Sequence, residues 1–220
     1  VEFESRLEGM DLDAGVLRID SPEGPREIPA QVVLACDGAY SAARKAIQSE
    51  KGFDLSQDHL EHGYKELTIP PRDGEFALDP GALHIWARGG AMMIALPNTD
   101  KSFTCTLFWP MHGEHGLSSL TTPADVEDHF AQHYPDVAGL MPTLAKDYLD
   151  NPVGTLVTVR CWPWTAHGDS TTLALVGDAA HAIVPFYGQG ANCAFEDAIA
   201  IDELIERHDG VWTAVLDAYE

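Results

Sequence analysis

Two short stretches hold most of the residues in this chain whose types and spacing can do chemistry: LACDGAYSAARKAI and LVGDAAHAIVPFYGQGANCAFEDA. Each sets an acidic residue just beyond an apolar run, Asp37 before Gly38 after AQVVLA, and Asp178 after Gly177 at the end of TLALV. A carboxylate at the carboxyl end of a buried strand can accept hydrogen bonds from ligand hydroxyls, because open α/β sheets build their crevices there. The same carboxylate can merely cap the next helical turn. Position alone leaves both roles open for Asp37 and for Asp178.

The loop PFYGQG adds what neither aspartate supplies. Pro185 stiffens the approach, while Gly188 and Gly190 can take dihedrals closed to other residues and keep side chains out of a ligand's path. Amides of Gly190, Ala191 and Asn192 would then project from a first helical turn, the end of a helix that favours negative charge. A redox ring that gains electrons is stabilised there, and so is a phosphate. Phe186 and Tyr187 can wall a pocket for an aromatic ligand or pack in a core.

These stretches need elements to position them. Alternation at Val1, Phe3, Ser5 and Leu7, then Val16, Leu17 and Ile19, predicts a short strand-rich opening that ends in the buried strand AQVVLA. A helix follows from about Ser41 to Ile47. YKELTIPP, ALHIWAR, AMMIALPN and SFTCTLFWP, separated by Gly, Pro, Asn or Asp, read as an antiparallel sheet. TPADVEDHFAQHYPDV reads as a helix capped by Thr122 with Val126, Phe130 and Tyr134 on one apolar stripe. Strand-like GTLVTVRCWPW and a buried strand over Thr171 to Val176 return the chain to a helix over about Asn192 to His208, in which Ala194, Ala198, Ile201 and Ile205 can share a buried face. The expected organisation is an α/β domain supplied by residues 1–50 and 161–220, interrupted by a mainly antiparallel sheet domain with a helix over 51–160.

Composition narrows the function classes. The 220 residues carry 35 Asp and Glu against 13 Lys and Arg, a formal charge of -22, which disfavours a nucleic-acid surface and gives no attraction to anionic lipid. No run of apolar residues is long enough to span lipid, and VEFESRLEGM lacks the features of a signal sequence. Four dispersed cysteines, Cys36, Cys105, Cys161 and Cys193, read as free thiols rather than a disulfide framework. The pairs His59/His62 and His112/His115 lack a supporting carboxylate or cysteine set, so no metal site is assigned. His181 reads as support for its loop.

Taken together, the two stretches resemble the downstream signatures of the aromatic-ring flavoprotein monooxygenases, and HGYKELTIPP, LHIWAR, MMIALPN and KSFTCTLFWP extend the resemblance over nearly the whole chain. The resemblance implies an α/β FAD-binding domain of the flavoprotein hydroxylase type with an inserted substrate-binding sheet. It implies FAD as cofactor, NADPH as co-substrate, dioxygen, and L-kynurenine or a similar aromatic amino acid as the substrate, hydroxylated to 3-hydroxy-L-kynurenine. Asp178 matches the residue that contacts the ribityl chain, and Pro185 to Asn192, with Gly188, Gly190 and Ala191, the loop along the flavin ring. Asp37, Gly38 and Arg44 match a motif tied to FAD placement and the NADPH reaction. Phe186 and Tyr187 match positions beside the substrate, Asn192 one near flavin and substrate carboxylate, and Ile85 and Phe103 are expected in the apolar pocket. No side chain is assigned as a catalytic acid, base or nucleophile.

Three positions depart from the family pattern: Ala191 where methionine is common, Tyr187 at a ring-facing site, and Cys36 where a small residue is usual. The GxGxxG fingerprint that such enzymes carry upstream is not in this sequence, so the chain is expected to be a central piece of a longer protein. The alternatives are hydroxylation of another aromatic ring, or a flavin-binding piece without catalysis. The implied setting is the cytoplasm for a bacterial source and the mitochondrial outer membrane for a eukaryotic one; no oligomeric state is assigned.

Overall fold

A computed structural model describes residues 1–49 and 51–219; Glu50 and Glu220, which close two of the expected domain segments, lie outside the described residues. The opening strands are β1 (Arg6–Asp11), β2 (Val16–Asp20), β3 (Arg26–Pro29) and β4 (Val32–Ala35), followed by α1 (Ala42–Ile47). Next come β5 (Asp54–Ile69), β6 (His84–Arg88), β7 (Ala91–Pro97) and β8 (Phe103–Pro110), then α2 (Pro123–His133) and α3 (Leu144–Asp150). The chain returns through β9 (Gly154–Trp162), β10 (Thr165–His167) and β11 (Thr172–Leu175) to α4 (Asp178–His181), α5 (Gly190–Arg207) and α6 (Trp212–Tyr219). Two compact units result: residues 1–58 with 157–220, and residues 59–156. The divisions fall inside β5 and β9.

In the first unit, β4 runs parallel to β11, with Val32 opposite Thr172 and Ala35 opposite Leu175, and β10 flanks β11 in antiparallel sense. This register matters most for function. Because the strands are parallel and end level, Cys36–Gly38 and Val176–Asp178 leave the sheet side by side, and Val176 donates to the Ala35 carbonyl at 3.0 Å. Leu173 and Leu175 pack with Ala43 and Ile47 of α1 on one side, while Ala174 and Val176 pack with Ile201, Leu204, Val215 and Leu216 of α5 and α6 on the other. A strand covered on both faces has no reason to alternate, which is why TLAL is buried throughout and shows no polar-apolar period.

The opening strands form a separate antiparallel sheet, β1-β2-β3. β1 starts at Arg6, opposite Asp20, so the alternation at Val1 and Phe3 belongs to no strand and both side chains are exposed. A period-two pattern makes a face, but a strand needs a partner in register.

The second unit is built on the sheet order β6-β7-β8-β5-β9. One face carries Leu67, Ile69, Met93, Ala95, Phe103, Cys105 and Leu107 and is covered by Val126, Phe130, Tyr134, Leu144 and Tyr148. Thr122 caps α2 as its sequence indicated, in a reciprocal box: Asp125 N–H donates to Thr122 Oγ1 at 3.2 Å and Thr122 N–H to Asp125 Oδ2 at 2.9 Å. β5 begins ten residues before YKELTIPP, in the polar run from Asp54, which the sequence presented as a connection. Its concealed period is anchored by Leu55, packed with Val157, Val159 and Ala182.

Candidate functional site

At the level ends of β4 and β11 a cleft of about 720 Å³ opens, walled by Gly38, Gly177, Asp178, Pro185, Gly188 and the first turns of α5. Each part has a local cause. Gly177 caps α4 at φ 61° and ψ -135°, a conformation open to glycine alone, and a Cβ there would stand 2.9 Å from that of Ala194. The helix can therefore approach the strand end closely. Pro185–Tyr187 forms one 3-10 turn that stops at Gly188 in the left-handed region (φ 62°, ψ 29°). That reversal delivers the chain to the start of α5.

The first intrahelical bond of α5 runs from Cys193 N–H to the Gln189 carbonyl at 3.0 Å, so the amides of Gly190, Ala191 and Asn192 precede any helical acceptor. Among the described residues no side chain caps this helix start, and no acidic residue lies in its first turn. The Asp178 carboxylate is exposed to the cleft, and its Oδ1 lies 3.7 Å from the place a Cβ on Gly190 would occupy. Donors with fixed direction, one carboxylate acceptor and small apolar walls thus converge on one space. The arrangement can accept a hydroxyl's hydrogen bond at one end and stabilise an electron-rich ring or an anion at the other.

Of the residues singled out from sequence, Gly38, Asp178, Pro185, Gly188, Gly190 and Ala191 wall this cleft. Asp37 instead caps α1 together with Ser41, its Oδ2 accepting the N–H groups of Ala42 and Ala43 at 2.8 and 3.1 Å. Arg44 is buried beneath the cleft, donating to the Ala179 carbonyl at 2.7 Å and to that of Ala39 at 2.5 Å. Burial pulls its pKa below the ordinary value, against the opposing pull of Cys161 and Asp37. Its donors thus tie the Asp37 loop to α4. Asn192 donates to Gln189 Oε1 at 3.0 Å, and Tyr187 stands out 89% exposed beside half-exposed Phe186.

Ile85 and Phe103 do not share a surface. Phe103 is 0% exposed in the core of the second unit, edge-on to Phe76 and His84, whereas Ile85 is 56% exposed on the opposite sheet face. Register puts Ile94 beside Ile85, and exposed Leu96 follows on the same face. That uncovered apolar face was legible in the alternation of AMMIALP, where alternate residues go to opposite sides. The expected buried face of α5 also needs amending: Ala198 is exposed on the cleft wall and Ala194 is half-buried, while Ile201 and Leu204 make the core contact.

Sequence reasoning missed Asp197. Its Oδ2 accepts the Gly177 N–H at 2.7 Å and pairs with His181 Nε2 at 2.8 Å, joining both stretches of the return segment. Cys36 lines the cleft, but burial, with Asp37 and Asp197 nearby, pushes its thiol up and away from thiolate chemistry. Among the described residues no group of three or more His, Cys, Asp or Glu is placed to hold a metal ion.

An α/β unit with a glycine-walled cleft at its strand ends, interrupted by an antiparallel sheet unit, is the architecture of the flavoprotein hydroxylases. Solved structures share it: 2-methyl-3-hydroxypyridine-5-carboxylic acid oxygenase at a TM-score of 0.73 and 23% identity, over 98% of this chain and 54% of that one. Klebsiella pneumoniae HpxO, complexed with FAD and uric acid, gives a TM-score of 0.73 and 21% identity over 98% and 52%. The family model described as FAD binding domain matches residues 1–219, and the chain belongs to that family. Kynurenine 3-monooxygenase of Flavobacterium psychrophilum is 44% identical over 99% of this chain and 49% of its own length. The enzymes of that name from Myxococcus xanthus and Sus scrofa are 44% and 40% identical over 100% of this chain, covering 47% and 46% of theirs. The chain spans about half the length of the curated relatives it matches.

Proposed function

We propose that this chain is the central part of an enzyme that hydroxylates L-kynurenine to 3-hydroxy-L-kynurenine, consuming NADPH, a proton and dioxygen and releasing NADP⁺ and water. The observation that carries the reading is the convergence of Asp178 with the free amides of Gly190 and Ala191 on one cleft. Its donor set fits FAD: a carboxylate open to the cleft to receive a polyol hydroxyl, and a helix start to face an electron-rich ring. Relatives named for the kynurenine reaction at 44% identity support the substrate.

FAD, when bound, supplies the oxygen-transfer chemistry that no protein side chain can. The residues of this chain would do the rest. Asp178 holds the polyol, Gly190 and Ala191 aim donors where charge accumulates, and Gly38, Gly177 and Gly188 leave room for close approach. Pro185 and Phe186 give the loop stiffness and an apolar surface that limits water. In the second unit, Ile85, Ile94 and Leu96 offer an apolar face to an aromatic ring, whereas Phe103 holds the sheet to its helices. No proton-transfer residue is assigned.

The partners under this reading are L-kynurenine and dioxygen. No helix among the described residues is long and apolar enough to cross a membrane. The cellular setting follows the source, cytoplasmic for a bacterium and outer-mitochondrial for a eukaryote. The test uses the full-length protein with NADPH, oxygen and a panel of aromatic acids and amino acids, with products identified by mass. Accumulation of 3-hydroxy-L-kynurenine supports the reading; hydroxylation of a different ring, or NADPH oxidation that yields only peroxide with L-kynurenine, overturns it.

A further inference from the structure

α4 is a single turn, yet it is tied at both ends by one atom. Asp197 Oδ2, on α5, accepts the N–H of Gly177, which precedes the turn, and stands 2.8 Å from Nε2 of His181, which ends it. Neither partner is close in sequence, and both side chains are largely withdrawn from solvent, Asp197 12% exposed and His181 22%. Gly177 provides no side chain of its own to cap α4. The carboxylate therefore supplies from twenty residues away the acceptor for the N-cap amide that the third residue of a capping box usually provides. It also ties the two ends of the turn together, because a single acceptor holds the capping residue Gly177 and the last residue His181.

Asp178 is the first residue of that turn, and its carboxylate is the acceptor that the proposed FAD site depends on. Resting on that reading, we infer that Asp197 is the positioning residue of the cofactor cleft. It touches no ligand; it locks the Gly177–His181 turn so that the Asp178 carboxylate is presented to the cleft beside the start of α5. Arg44 Nη1 to the Ala179 carbonyl and Cys161 Sγ to that of Ala180 at 3.2 Å hold the middle of the turn, while the Val159 N–H donates to the Ala182 carbonyl just beyond it at 2.8 Å and the Trp164 ring packs on His181. The tie from Asp197 joins the Gly177 end to the His181 side chain.

A residue that only stabilised the fold would weaken cofactor binding regardless of whether Asp178 is present. A positioning residue acts through Asp178 and loses its effect without it. The experiment measures the dissociation constant for FAD by flavin fluorescence in the full-length protein, with apoprotein melting recorded in parallel. Asp197→Leu is expected to weaken FAD by about ten- to a hundredfold, the span of one charge-assisted hydrogen bond. The same change in an Asp178→Ala background is expected to add little. Asp197→Asn, which keeps an acceptor oxygen, is expected to restore affinity to within about threefold.

Equal weakening by Asp197→Leu in both backgrounds, or none in either, overturns the positioning role while leaving the cofactor reading intact. Unchanged affinity in Asp178→Ala alone brings down the ligand role of Asp178 and this inference with it. If Asp197→Leu does not yield folded apoprotein, His181→Leu, which removes one of the two ties, carries the same comparison.

Discussion

Acid should loosen the second unit through one histidine. His129 is 5% exposed on α2, its Nε2 has no hydrogen-bond partner among the described residues, and its ring meets Trp109 edge-on at 4.6 Å and His133 at 4.6 Å. Burial, and then the neighbouring His133 and His115, lower its pKa from 6.5 to about 4. The fold thus holds His129 neutral, whereas the unfolded chain takes up a proton at about pH 6.5. Unfolding binds the extra proton between those values, so stability is complete above about pH 6.5 and falls as pH drops toward 4. The shift corresponds to about 3 kcal/mol in full, of which about 2 kcal/mol is lost by pH 5. The perturbation is His129→Phe, which keeps an aromatic ring against Trp109 and removes the titration. Urea unfolding of the full-length protein at pH 7.5 and pH 5, followed by tryptophan emission, gives the pH-dependent loss for each form. The wild type should lose about 2 kcal/mol more than the variant across that interval. Parallel losses would show that His129 already protonates in the folded protein, and the burial argument would be wrong.

Three further outcomes follow from packing and backbone geometry. Gly177→Ala forces a side chain into a positive-φ conformation and against the Ala194 Cβ 2.9 Å away, so it should cost about 1–3 kcal/mol in chemical unfolding and weaken FAD retention. Phe103→Ala should cost about 3–5 kcal/mol, because it empties a fully buried position, while Ile85→Ala on the uncovered face should leave unfolding nearly unchanged. If the two cost the same, the assignment of the two sheet faces is wrong. Lys65 is buried under α3 and donates to the carbonyls of Tyr148 and Asn151, so Lys65→Met should destabilise by about 1–3 kcal/mol and speed hydrogen exchange in α3.

The parts of this molecule that depend on near neighbours could be read from the residues. Thr122 and Asp125 are three residues apart, so their capping box is a local event. Gly188 announces a reversal because other residues resist its dihedrals, and TLAL announces a strand covered on both faces. The start of β5 escaped because its polar residues conceal a pattern that shows only once Leu55 has something to pack against.

The fate of each polar side chain was a different matter. Asp37 and Asp178 occupy equivalent places in two similar phrases, and sequence offered each the same two roles. Tertiary structure separated them: α1 starts close enough for Asp37 to cap it, whereas the α4 turn is already held by Asp197, leaving the Asp178 carboxylate open to the cleft. Arg44 matches a motif tied to FAD placement and the NADPH reaction, and only the fold shows that its guanidinium donates to the carbonyls of Ala39 and Ala179. Sequence by itself determined the elements and the glycine-marked turns, since these follow from dihedral preference and hydrophobic period over a few residues. Only the level register of β4 against β11, and the closeness of α5 that Gly177 permits, decided which polar groups face the cleft, because hydrogen-bond partners are assigned by distances in space that no local pattern records.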